Sequence, residues 1–232
     1  MRLLVTRPQE DSGETVAALA ARGHEVMAEP LLVVRPLAQE LPDLSLFQAV
    51  LITSRNGLRF FAQLTPDRTL PIFAVGPGTA AEARAAGFSL VHDADGDAHA
   101  LATLVAERLE PFRGPVLHVA GRHVASGLKE RLIAKGFDFR RVVLYVAEPV
   151  EEFTAVSLKA LQQGTLDGVL FFSPRTAATF ADLITRAELQ QACTGMNAYC
   201  LSRAVAQEVA NLPWRSVQTA TAPNQDALLA LL

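Results

Sequence analysis

Aromatic residues with a polar handle are scarce in this chain: two tyrosines, Tyr145 and Tyr199, and one tryptophan among 232 residues. A reaction that needs a phenol therefore has two candidates. Cysteine is as rare, with only Cys193 and Cys200 and no short paired motif around them, which excludes a disulfide framework or a cysteine zinc site and points to a reducing compartment. No run approaches the roughly 18 apolar residues of a membrane-spanning helix. The opening MRLLVTRPQED turns polar after a short apolar stretch, so a soluble cytoplasmic protein without a signal peptide is expected. There is no excess of positive charge either: 21 Lys and Arg against 24 Asp and Glu give a formal net charge of −3. Without a basic field no nucleic-acid partner is expected, and an anionic ligand needs a local arrangement of donors.

Most catalytic signatures are missing too. There is no GxxxxGK[ST], and Gly76-Pro77-Gly78 lacks the GxGxxG spacing, so neither a P-loop nor a dinucleotide fingerprint is present. His24, His92, His99, His118 and His123 form no HExxH, and no GxSxG nucleophile elbow occurs, which leaves metal hydrolysis and triad chemistry unsupported. His118, inside an apolar strand, reads as a core histidine. Asp93-Ala94-Asp95-Gly96-Asp97 lacks the downstream glutamate and the length of an EF-hand and reads as a solvated turn capping a helix from Asp97.

What the chain has is apolar residues, 50% of the total, arranged as strands alternating with helices. Leu3 to Val5 reads as a buried strand, Thr6-Arg7-Pro8 as its exit, and a helix with Val16, Leu19 and Ala20 inward ends near Gly23. Val26 to Val34 reads as one strand interrupted at Pro30. Val116 to Val119 repeats this layout, with an exit at Gly121-Arg122, a helix ending at Lys135-Gly136 and a strand from Val142 to Val146. A second unit is LITSRNG, Leu51 to Gly57, followed by helical spacing at Leu58, Phe61 and Leu64; its copy is FFSPRT, with Ser54 matching Ser173 and Phe61 matching Phe180 at the same offset of 119. A third unit runs from Ile72 through Gly76-Pro77-Gly78-Thr79 to a helix from Asp97 to Leu109, and its partner from Asn197 through Ser202-Arg203 to a helix from Asn224 to Leu232.

Such alternation predicts parallel sheets with helices on both faces. About nine or ten strands exceed what one compact sheet usually holds, so two domains are expected. Pro30 to Pro42 and Glu148 to Phe153 are compositions suited to linkers. The expected architecture is two flavodoxin-like, Rossmann-like three-layer α/β domains: residues 1–34 with 150–232, and 38–144, joined by two crossing linkers near 31–37 and 143–150.

In open parallel sheets ligands bind beyond the carboxyl ends of the strands, and every polar elbow lies there: Thr6-Arg7, Ser54-Arg55-Asn56, Gly78-Thr79, Ser173-Pro174-Arg175 and Ser202-Arg203. Each serine or threonine alone reads as a plain helix N-cap. Each elbow also presents backbone N–H groups and the positive end of a helix dipole. One exposed helix end contributes only about 0.3–1 kcal/mol to an anion, whereas four or five aimed together hold a polyanion.

With the elbows placed, the chain resembles the uroporphyrinogen-III synthase family. The resemblance spans LLVTRP, LITSRNGLRFF, FAVGPGTA, VVLYVAEP, VLFFSPRTAATF and PNQDALLALL in order. It implies an active site in the cleft between the domains, no metal or organic cofactor, and a monomer acting on a linear tetrapyrrole polycarboxylate. The implied reaction converts hydroxymethylbilane to uroporphyrinogen III by loss of water, attack through a spiro intermediate that inverts ring D, and closure. Thr6, Arg7, Ser54, Arg55, Asn56, Gly78, Thr79, Arg122, Ser173, Pro174, Arg175, Ser202 and Arg203 would bind substrate. On the residues alone Tyr145, between Leu144 and Val146, reads as core; the resemblance assigns it to assist departure of the hydroxyl. Two positions depart from the family pattern: Cys200-Leu201-Ser202-Arg203 replaces a Gly-Pro-Thr-Thr-like elbow, and Ala125 stands where an arginine is common, with Arg122 nearby as its substitute. The competing reading is a non-catalytic two-domain protein that closes on an anionic small molecule.

Overall fold

The computed structural model describes residues 1–123 and 127–232. The first half of the chain runs β1 (Arg2–Val5), α1 (Gln9–Ala20), β2 (Glu25–Ala28), β3 (Leu32–Pro36), β4 (Ala49–Ile52), α2 (Arg55–Leu64), β5 (Ile72–Ala74), α3 (Pro77–Ala85), β6 (Val91–Asp93) and α4 (Ala98–Arg108). The second runs β7 (Val116–Gly121), α5 (Leu128–Ala134), β8 (Phe139–Pro149), α6 (Ala155–Gln162), β9 (Gly168–Phe171), α7 (Pro174–Arg186), β10 (Asn197–Cys200), α8 (Arg203–Val209), β11 (Ser216–Thr219) and α9 (Gln225–Leu229). Eleven strands among the described residues exceed the nine or ten expected, and the last helix ends at Leu229 rather than Leu232. No described helix is long and apolar enough to cross a membrane.

The strands form two sheets, ordered β11-β10-β9-β1-β2 and β3-β8-β7-β4-β5-β6. By compactness the chain divides into Met1–Val33 with Glu148–Leu232, and Val34–Ala147. The repeat units cross between the sheets: β1 lies parallel to β9, with Leu3 opposite Gly168, while β7, the copy of β1, lies parallel to β4, with Ala49 opposite Val116. Matching β7 to β1, β8 to β2, β4 to β9, β5 to β10 and β6 to β11 makes the two strand orders identical, with β3 as the one addition. In its own chain order the five-stranded sheet reads 2-1-3-4-5, the flavodoxin-like winding.

The central strands are apolar throughout because both of their faces are covered. Leu4, Val169 and Phe171 pack beneath Phe180 and Ile184 of α7, whereas their neighbours Leu3, Val5 and Leu170 pack on the other face with Leu19 of α1 and Leu228 of α9. In the six-stranded sheet Val50, Ile52, Leu117 and Val119 meet Leu58 and Phe61 of α2, and Ala49, Leu51 and Val116 meet Leu101 and Val105 of α4. Gly23 and Gly136, equivalent in the repeat, both sit at positive φ, +79° and +86°, where the chain leaves a helix for the next strand; a side chain there would strain the backbone.

The segment expected as one strand from Val26 to Val34 is two strands, β2 and β3, in different sheets. Between them Glu29 is buried, its carboxylate accepting the backbone N–H of Thr154 at 2.9 Å and the Thr154 hydroxyl at 2.6 Å. Pro30, which has no N–H to place in a ladder, marks the change of sheet rather than a flaw in one strand.

Candidate active site

Each sheet has a reversal of winding, between β7 and β4 in one and between β1 and β9 in the other, and at such a point the loops at the carboxyl ends splay apart and leave a crevice. In the six-stranded sheet the elbow after β4 is set by Ser54. Extended at φ −158° and ψ 151°, it caps α2 by accepting the N–H of Gly57 at 3.0 Å. This places the N–H groups of Arg55 and Asn56 in the first turn of α2, at the positive end of the helix dipole. The Ser54 hydroxyl also pairs with that of Tyr145 on β8, the two oxygens 2.8 Å apart with either able to donate. The tyrosine ring stacks on Phe60 of α2, centroids 5.7 Å apart.

Other sequence-predicted residues of this sheet gather at the same edge. The N–H of Arg122 donates to the Tyr145 carbonyl at 2.8 Å. The Arg55 guanidinium lies so close to Gly78 that a Cβ built on the glycine would be 2.7 Å from Nη2. Asn56 accepts from Arg59 at 3.1 Å, and Arg59 forms an ion pair with Glu82 that ties α2 to α3. Thr79 is 94% buried in the first turn of α3, and its N–H donates to the Gly76 carbonyl at 3.1 Å. The Ala125 position lies outside the described residues.

In the five-stranded sheet Ser173 and Ser202 repeat the Ser54 arrangement. Both are extended N-caps, accepting the N–H groups of Thr176 at 3.2 Å and Val205 at 3.4 Å. The Ser173 hydroxyl also meets that of Thr176 at 2.7 Å. Pro174 occupies the first helical position, where its missing N–H costs nothing, and the N–H of Arg175 is the next one along. Arg7 lies over the ring of Phe172 at 4.5 Å and donates to Gln225 at 3.0 Å. Arg203 is exposed at the start of α8. Thr6 is completely buried and donates its hydroxyl to the Leu170 carbonyl at 2.8 Å. Its side chain holds β1 to β9.

Two residues that the sequence reading did not place in the site adjoin it. His118 is buried as a core histidine, yet Nε2 lies 3.0 Å from the Thr53 hydroxyl, one residue before Ser54. Burial, assisted by the Arg141 charge, pulls its pKa down to about 4, so the imidazole is neutral at physiological pH. Gly121 ends β7 against the Tyr145 ring; an isolated glycine in the apolar run VLHVAG was the available signal, since such a glycine marks a bulge or a close approach. Away from the site, Asp97 caps α4, and the N–H groups of Ala100 and His99 hold its carboxyl below the usual range.

A family model described as uroporphyrinogen-III synthase HemD matches residues 13–230. The chain belongs to the uroporphyrinogen-III synthase family. A curated uroporphyrinogen-III synthase from Chlorobaculum parvum is 30% identical over 207 residues, covering 81% of this chain and 80% of that protein. The crystal structure of uroporphyrinogen-III synthetase from Helicobacter pylori superposes with a TM-score of 0.69 at 18% identity, over 100% of this chain and 98% of that one. A mutant uroporphyrinogen III synthase from Thermus thermophilus gives a TM-score of 0.57 at 16% identity, over 100% and 97%. At those identities the solved structures establish the two-domain α/β fold. Uroporphyrinogen-III synthases are cyclising lyases of tetrapyrrole biosynthesis, and the capped elbows and Tyr145 lie within the matched span.

Proposed function

We propose that this chain closes hydroxymethylbilane to uroporphyrinogen III, with Tyr145 as the proton donor to the departing hydroxyl. Family membership supplies the reaction, and the paired hydroxyls of Tyr145 and Ser54 at 2.8 Å carry the assignment of the donor. A tyrosine, with a reference pKa of about 10, is protonated at neutral pH. Two hydroxyls bring two protons and their mutual bond uses one, so the pair can donate the other outward. The Gly57 N–H on the Ser54 oxygen polarises the serine O–H, and a hydrogen bond passed along such a chain strengthens the next. Protonation as the C–O bond breaks releases water, and the electron-rich pyrrole stabilises the carbon left behind. Attack by ring D through the spiro intermediate then follows from how the substrate is held.

Holding falls to the strand-end elbows. The N–H groups at the starts of α2, α7 and α8, together with Arg7, Arg55, Arg122, Arg175 and Arg203, suit a polycarboxylate, because N–H···carboxylate bonds are charge-assisted and the helix ends add their dipoles. This reading involves no metal. A single chain carries both sheets, so a monomer suffices. The free, buried thiols of Cys193 and Cys200 suit a reducing cytoplasm.

The test is to incubate the protein with freshly made hydroxymethylbilane and separate the product isomers. Spontaneous closure yields type I, so an excess of type III is expected, and type I alone would overturn the proposal. Tight binding without turnover would instead favour a non-catalytic binder.

A further inference from the structure

The direction in which Tyr145 points is not what its strand would give it. Side chains alternate along a regular strand. In β8, Val142 and Leu144 both face α2 and α3, packing with Leu58, Phe61 and Ala83. Regular alternation would therefore turn Tyr145 to the opposite face, towards α4 and α5. Instead its ring stacks on Phe60 and its hydroxyl meets Ser54, both on the α2 side.

The ladder with β7 contains the cause. Ala120 pairs with Val143, but the next residue, Gly121, pairs with Tyr145, so Leu144 is one residue more than β7 matches. A bulge of this kind lets two consecutive side chains share a face and re-aims the one after the break. Leu117 and Val119 of β7 face α2, and alternation puts the side-chain position of Gly121 on that same face, directly beside Tyr145. A Cβ there would sit 2.6 Å from Cζ, 2.7 Å from Cε2 and 3.0 Å from the hydroxyl oxygen of the tyrosine. Gly121 is not at positive φ; its backbone accepts any residue, and the constraint is the space that the phenol fills.

We propose that Gly121 and the extra residue Leu144 form a device that aims Tyr145: the bulge brings the ring to the α2 face, and the missing side chain at 121 lets the hydroxyl reach Ser54. Gly121 is a positioning residue, acting on turnover only through Tyr145, and its role in catalysis rests on the proton-donor reading above. In Gly121→Ala the ring must move away from the new methyl group. Backbone on β7 cannot yield without breaking the Arg122 N–H bond to the Tyr145 carbonyl, so the hydroxyl leaves Ser54.

The experiment uses the full chain with ring-labelled tyrosine, whose two signals are assigned with Tyr145→Phe. Gly121→Ala is expected to move the Tyr145 signal and leave Tyr199 in place. It should lower kcat for type III formation by about tenfold or more with KM within about twofold, because a misplacement near 1 Å costs up to about 100-fold. In a Tyr145→Phe background the same change should alter kcat by less than about twofold. An unmoved Tyr145 signal, an unchanged kcat in Gly121→Ala, or fully additive losses in the double variant would each overturn the proposal. If Tyr145→Phe turns over normally while Gly121→Ala still moves the ring, the proton-donor reading falls and takes the catalytic role of Gly121 with it. Should Gly121→Ala fail to fold, Phe60→Leu releases the other side of the ring: a fall in kcat at constant KM is expected, and an unchanged kcat overturns the aiming account.

Discussion

Ser54 has two separable duties. Its oxygen accepts the Gly57 N–H as a helix cap and meets the Tyr145 hydroxyl. Removing a serine cap typically costs about 1 kcal/mol, a few degrees of Tm in a chain of this size. Ser54→Ala should therefore lower Tm by that amount and also slow type III formation, whereas Tyr145→Phe, which leaves the cap in place, should slow turnover with Tm nearly unchanged. Ser173→Ala removes a cap with no tyrosine attached and should match the Ser54→Ala loss of Tm without its loss of kcat. Calorimetry beside the isomer assay on all three separates the duties; equal kcat losses in both serine variants would assign the effect to helix capping alone.

His118 makes the pH dependence of stability legible in the same way. Its folded pKa, near 4, lies below the usual histidine value of 6.5, with burial as the main cause and Arg141 second. Between those values the unfolded chain binds the extra proton and the folded chain does not, so stability is complete above about pH 6.5 and falls as pH drops towards 4. The loss from this group is of order 3 kcal/mol at the acid end. Denaturant titrations from pH 7 to 4 should show that decline, and it should be shallower in His118→Gln, whose amide can still meet the Thr53 hydroxyl but does not titrate. Identical slopes would move the acid sensitivity elsewhere.

At the scale of elements, periodicity and capping residues were the readable signals, because both are local. The apolar run Ala49 to Ile52, its serine stop and the 3.6-residue spacing of Leu58 and Phe61 identify β4 and α2, and the copy at offset 119 identifies β9 and α7. Signals that depend on a neighbouring strand were not readable. Pro30 is the one local sign that Val26 to Val34 is two strands in separate sheets, and the partner that buries the neighbouring Glu29, Thr154, lies far along the chain. The bulge opposite Gly121 likewise exists only in the pairing of β7 with β8. The direction of the Thr6 hydroxyl was unreadable for a related reason: an elbow threonine reads the same whether its hydroxyl points outward or, as here, bonds the next strand. Gly78 shows an element-level contact that can be tested. A methyl at 78 meets only the tip of Arg55, a flexible group, and alanine suits a helix better than glycine by about 1 kcal/mol. Gly78→Ala should therefore keep or raise Tm while displacing the guanidinium, and KM should rise several-fold at little cost in kcat. An unchanged KM would remove Arg55 from substrate binding.

At the scale of the whole molecule the charge balance sets a test that no single variant provides. A chain of net charge −3 does not attract a polyanion at long range, so the proposed capture rests on donors close to the carboxylates, at the helix starts and at Arg7, Arg55, Arg122, Arg175 and Arg203. Such donors act through partly exposed charge, which salt screens over about 10 Å at 0.1 M and about 3 Å at 1 M. Several contacts are weakened together, so KM should rise steeply between 0.05 and 0.5 M salt. The hydroxyl pair of Ser54 and Tyr145 is neutral, and proton donation within a bound complex involves no ion drawn from solution; kcat should vary little over the same range. The two parameters thus separate holding from chemistry in one titration. A KM that stays constant with salt would contradict binding by helix ends and arginines, and a kcat that falls in parallel would contradict a neutral proton donor.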